Sequence, residues 1–387
     1  ADSNTLLGEA AGDALTVGAD NTALGRDALG ADTQGSSSIA IGRNALASQN
    51  FTSPTAAYNV AIGRSAGTAI TTGIQNTAIG MNAARDNTTG LSNSVFGEGA
   101  FISNTTGSYN TAVGRMSLFL NSTASNNTAV GFQALYSNAT GINNTALGYN
   151  AGLSLTSGQQ NVFVGAQAGD AITTGENNTV VGQGALANDD VGLGSVAIGT
   201  QAMVGQNIAS ATYTLNTAVG FQSLYYNVTG AGNTSLGYRA LMGSATGAST
   251  SASTAIGYHA LKSTTTGASN TAVGSETLNS TTTGTNNSAL GNVAMAANLT
   301  GAYNAALGDA ALRSNTSASY NIAVGYQAGY ANTVGQYNVF LGNQAGDAST
   351  ASSANTFVGN NSGSVFNITS TGNAFNTFIG LSKCSKT

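Results

Sequence analysis

The stretch NNTALGYNAGLSLTSGQQNVFVGAQAG, residues 143–169, states one phrase twice. Asn144, Leu147, Gly148 and Ala151 return as Asn161, Val164, Gly165 and Ala168, each 17 residues on. A fixed offset that keeps residue type at a few places while the letters between them drift marks a stacked repeat. Each copy meets the same surroundings because its neighbours are copies of itself.

Counting the Asn as position 1, copies start at 4, 21, 38 and so on to 376. That gives 22 starts and 21 intervals, of which seventeen are 17 residues, three are 21 and one is 20. The long intervals follow the starts at 38, 195, 233 and 355, and a unit that accepts extra residues at one place carries a surface loop there. Position 5 is Gly in every copy, including Gly8, Gly25, Gly131, Gly148, Gly165 and Gly380, which points to a turn without room for a Cβ or a backbone with positive φ. Position 4 is always Leu, Ile, Val or Phe.

Positions 1 to 4 are rich in Thr, Val and Ile and stop at Gly, the pattern of a short strand ending in a turn. Positions 8 to 11, as in Ala134, Leu135 and Tyr136, make a second short apolar run. Two Gly in most units would each cost a helix about 1 kcal/mol relative to Ala. The spacing therefore predicts an all-β parallel β-solenoid of about 22 coils, with two short strands per coil and a single repeat domain over residues 1–387. One coil cannot bury its own apolar side, so stacking must do it. The expected interior column is position 4: Leu7, Leu24, Ile41, Ile62, Ile79, Val113, Val130, Leu147, Val164, Val181, Ile198 and Val219. The Asn column, for example Asn110, Asn127, Asn144, Asn161 and Asn178, should form a ladder of side-chain hydrogen bonds at the strand spacing of about 4.8 Å.

Composition narrows the function. Of 387 residues, 10 are Lys or Arg, 15 Asp or Glu and one His. With so few charges no basic face exists for nucleic acid, and no apolar run reaches the roughly 20 residues of a membrane helix. No carboxylate pair is marked for acid or base work, so neither catalysis nor a cofactor or metal is expected. His259, beside Tyr258, reads as a solvent-facing residue.

The motifs "NTAVG" at 110–114 and 127–131, "SIAIG" at 38–42 and "SVAIG" at 195–199 resemble the head repeats of YadA-like trimeric autotransporter adhesins, and similar repeats occur in phage tail fibres. The resemblance spans residues 4–380, although the unit here is longer. It implies a left-handed β-roll, a homotrimer, a cell-surface or extracellular location, and binding to host or cell-surface proteins or glycans.

Candidate sites follow from exposed columns. Phe132, Tyr149, Phe221, Tyr238 and Tyr258 at position 6 read as an aromatic ladder for sugar rings or as a buried contact, and Arg26, Arg43 and Arg64 precede them in the same column. Asn50, Asn87, Asn104, Asn121, Asn138, Asn227, Asn279, Asn298, Asn315 and Asn367 begin Asn-x-Ser/Thr sequons, expected to be accessible to glycan. The leading expectation is a non-enzymatic extracellular fibre subunit that assembles end to end, with Cys384 near the junction. The alternatives are a trimeric adhesin head or tail fibre, and, more remotely, an ice- or polysaccharide-binding solenoid.

Overall fold

The computed structural model describes residues 3–210, 212–244, 248–364 and 375–381. Each motif copy supplies one three-residue strand at positions 2 to 4, from Thr5–Leu7 to Thr377–Ile379. The chain divides into two compact units, residues 1–193 with 209–211 and residues 194–208 with 212–387, each holding eleven of these strands. Within each unit the strands pair in parallel and in register, coil on coil. In the first, Ala129 faces Ala112 on one side and Ala146 on the other. In the second, Ala272 lies between Ala255 and Ala289. Each unit is a parallel β-solenoid, and no helix occurs among the described residues.

The strand is short because position 5 turns it. Gly148 has φ +145°, and a Cβ built there would run into the backbone of Gly165 in the next coil. The second apolar run also pairs coil to coil, as when Leu135 N donates to Ala151 O and Ser137 N to Leu153 O. It is not extended, however. Gln133 and Leu135, positions 7 and 9, carry φ of 53° and 50°, and the alternation coils the run into a column of turns. A second extended pair occurs where Gly35–Ser36 of an ordinary coil meets Thr55–Ala56 of the next coil, which is lengthened by its insertion.

The interior differs from the sequence expectation. Position 3 is the buried column: Ala112, Ala129, Ala146 and Phe163 are fully buried, facing Ala at position 8 and Leu at position 9, such as Ala134 and Leu135. None of Leu7, Leu24, Ile41, Ile62, Ile79, Val113, Val130, Leu147, Val164, Val181, Ile198 and Val219 is buried, and Leu147 is 49% exposed. The physical reason is the pleat. The inward Asn at position 1 brings position 3 inward with it and turns positions 2 and 4 out. The bulk of the core comes from Leu at position 9, so the strand side needs only Ala. Where the strand supplies Phe163, Phe340 or Phe357, the turn column of that coil shrinks to Gly. A Cβ on Gly152 or Gly169 would come within 2.7 or 2.5 Å of the Phe163 ring.

Candidate functional site

The strand face that points away from the core is the surface this fold offers. Position 4 lines it with Leu, Ile, Val and Phe and position 2 mostly with Thr, each side chain repeated one strand spacing along the stack. On one stretch, Val273, Leu290, Leu307 and Val324 border a shallow groove. An apolar stripe continuous over eleven strands is more than a lone soluble surface usually shows.

The Asn column holds this face rigid. Asn144 N donates to Asn127 Oδ1 at 2.9 Å, its own Oδ1 accepts Asn161 N at 3.0 Å, and its Nδ2 donates to Gly158 O at 2.9 Å. Most rungs thus run from a backbone N–H to the amide of the preceding coil, and the third bond ties the end of a coil to its start. Amide-to-amide contacts add to some rungs, as from Asn161 Nδ2 to Asn144 Oδ1 at 3.1 Å. Where Ser38 replaces Asn, Gln49 fills in. Its Nε2 donates to Ser38 Oγ at 3.1 Å and its Oε1 accepts Asn59 Nδ2 at 2.9 Å. Gln206 does the same between Ser195 and Asn216 in the second unit. The Ser and Gln stand 11 residues apart in both lengthened coils, a pairing visible in the sequence and overlooked there.

The sequons are mostly turn devices. Asn87, Asn104, Asn121, Asn138, Asn227, Asn298 and Asn315 are buried, contrary to the expectation of access. They stand at position 12, and Asn104 shows why: its Oδ1 accepts Gly107 N and its Nδ2 donates to Gly107 O, closing a local turn. Asn50 is exposed and Asn279 half-buried, while Asn367 and Cys384 lie outside the described residues. In material secreted by a host that glycosylates such sequons, glycopeptide mapping of the folded chain should find glycan on Asn50 or Asn279 and on none of the seven buried residues. Occupancy of Asn104 or Asn138 in folded material would contradict this.

The aromatic ladder exists in pieces. Phe132 and Tyr149 stack with centroids 5.6 Å apart, and Phe221, Tyr238 and Tyr258 stack at 5.5 and 5.4 Å, all near parallel. Rings that lie on one another have spent their inner faces, so they present edges rather than platforms for sugars. His259 is half-buried against Tyr258, not solvent-facing. Burial first, then Lys262 and Arg239, push its pKa below the usual histidine range, while Glu276 acts the other way. Of the three arginines, Arg26 pairs with Asp27 and Arg64 lies against the Met81 sulfur.

One row escaped the sequence reading. At position 17, Tyr303, Tyr320 and Tyr337 stack at 5.2 and 5.0 Å with planes within 2° and 1° of parallel. Their 17-residue spacing was the available signal. Among the described residues no group of three or more His, Cys, Asp or Glu is placed to hold a metal, and no helix is long and apolar enough to cross a membrane.

The fold and the face define a β-solenoid repeat protein. Compared with known proteins, the chain matches no family model, no curated sequence and no solved structure.

Proposed function

We propose that the chain is a non-enzymatic structural protein of an extracellular fibre, whose copies pack side to side through the position 4 stripe. The observation that carries this reading is the unpartnered apolar column on an otherwise hydrogen-bonded, rigid sheet. Withdrawing one half-exposed Leu or Val from water contributes on the order of 1 kcal/mol. Eleven in a row per unit sum to roughly 10 kcal/mol on each partner, enough to offset an association cost of about 4–15 kcal/mol. Ten Lys and Arg in 387 residues leave few cleavage points for proteases that cut at basic residues, which suits a life outside the cell. The stripe favours lateral packing, as a trimer or a broader bundle, over the end-to-end assembly expected from the sequence. A second reading, adhesion to an extended ligand, draws support from the tyrosine row.

The test is sedimentation of the purified chain across a concentration series. The parent should associate, and Val130→Asp should shift the equilibrium strongly toward monomer while its circular dichroism stays unchanged. A parent that stays monomeric at high concentration would overturn the fibre reading.

A further inference from the structure

In the carboxy-terminal unit the outward face changes character for three coils. Elsewhere position 2 is mostly Thr and position 17 mostly Asn, Gln or Ser, but here position 2 is Ala305, Ile322 and Val339. Position 17 just ahead of each is Tyr303, Tyr320 and Tyr337. The tyrosines are 54%, 47% and 59% exposed and stack on one another, so they form a continuous exposed row along three coils. With position 4 supplying Leu307, Val324 and Leu341, the result is an aliphatic floor beside a wall of phenol hydroxyls. On the far side of the floor, position 6 supplies the exposed Asn292, Asp309, Tyr326 and Asn343, a second polar wall with one formal charge.

We infer that this trough binds an uncharged, unbranched β-1,4-linked polysaccharide lying along the stacking direction, an inference that rests on the adhesive reading above. Three features select that occupant. The hydroxyls recur with the ring spacing of 5.2 and 5.0 Å, close to the residue repeat of an extended β-1,4-linked glycan, so successive sugars meet successive coils in register. Such a chain is a flat ribbon with C–H faces and hydroxyl edges, matching an apolar floor between polar walls. The walls carry almost no charge, which favours a neutral ligand over a uronate or sulfated one. Because the rings are stacked on one another, they read the sugar through their hydroxyl edges, and the C–H contact falls to the aliphatic floor. In these three coils the tyrosine row flanks the position 4 stripe, so a glycan and a second copy would compete for the same floor.

The full-length chain is mixed with microcrystalline cellulose, with chitin and with silica as an inert control, and the retained fraction is measured. The parent should be retained on at least one of the two glycans and not on silica. Tyr303→Ser/Tyr320→Ser/Tyr337→Ser should lower the apparent affinity about tenfold or more, equivalent to about 1.4 kcal/mol. The corresponding Phe triple, which keeps the stack without its hydroxyls, should also weaken retention. Tyr58→Ser/Tyr109→Ser, altered at isolated tyrosines of the same column in the other unit, should behave as the parent, and circular dichroism checks that every variant folds. No retention of the parent, or equal retention of the parent and the Ser triple, would overturn the site. Loss of self-association in the Ser triple without glycan retention by the parent would assign the row to a second copy instead. Val130→Asp should leave glycan retention unchanged, so the fibre reading and this one fail separately.

Discussion

Gly148→Val is expected to abolish the ordered stacking of the coils around it, whereas Tyr149→Ser, one residue on, should leave melting nearly unchanged. Gly148 stands at φ +145°, where an L side chain is strained before any contact is counted. Its Cβ would also meet the carbonyl of Gly165, which is backbone and cannot swing aside. That carbonyl belongs to a strand end fixed on both sides, since Gly165 N donates to Leu147 O and Gly182 N to Val164 O. Relief therefore requires a strand pair to part, with loss of at least two ladder bonds and exposure of the fully buried Ala146 and Phe163. A cost above about 4 kcal/mol follows, in the range kept for overpacking and strained backbone. Tyr149 is exposed and loses little more than its stack on Phe132, worth about 1 kcal/mol. Thermal melting and amide exchange of the Asn144 and Asn161 N–H groups would measure the difference, and equal losses would show that position 5 answers no backbone demand.

The period, the strand and the turn Gly were legible because a solenoid gives every copy one environment, so any column invariant among copies reports a physical need. The face of the strand was not. A three-residue strand has two phases, and residue size pointed to Leu, Ile and Val as the interior because cores are usually built from large side chains. In this fold the bulk sits across the core at Leu29, Leu46 or Leu135, and the strand contributes Ala. The deciding signal was in the sequence as a compensation between columns. Phe163, Phe340 and Phe357 at position 3 each share a coil with a Gly at position 9, namely Gly169, Gly346 and Gly363. A large residue that requires a missing side chain elsewhere must face it across a packed interior. The buried sequon residues were hidden for a different reason. Asn followed by Ser or Thr and then Gly serves equally as a glycan acceptor and as a turn that bonds its own backbone, and only burial separates the two.

The inside and outside of the strand can be separated by adjacent substitutions. Ala129→Asp should destroy local order, while Val130→Asp should fold normally and fail to associate. Ala129 has no exposed surface, and its neighbours along the stack are Ala112 and Ala146, equally buried. The space around it is filled by Ala134 and Leu135, neither of which offers a hydrogen bond from its side chain. A carboxylate there would be both too large for an Ala site and without a partner, and an uncompensated buried charge costs roughly 3–5 kcal/mol or more. Protonation could remove the charge but not the misfit, so lowering the pH should recover only part of the loss. Val130 points the other way and is partly open to water, so its carboxylate stays solvated and stability should change by about 1 kcal/mol or less. Along the stripe the same carboxylate sits between Val113 and Leu147, where a second copy would have to desolvate it. The expected pattern is a melting temperature lost in one variant and kept in the other, with sedimentation reversed in sense: the folded variant is the one that no longer assembles. Equal melting of the two variants would return position 4 to the interior and remove the apolar stripe on which lateral assembly depends.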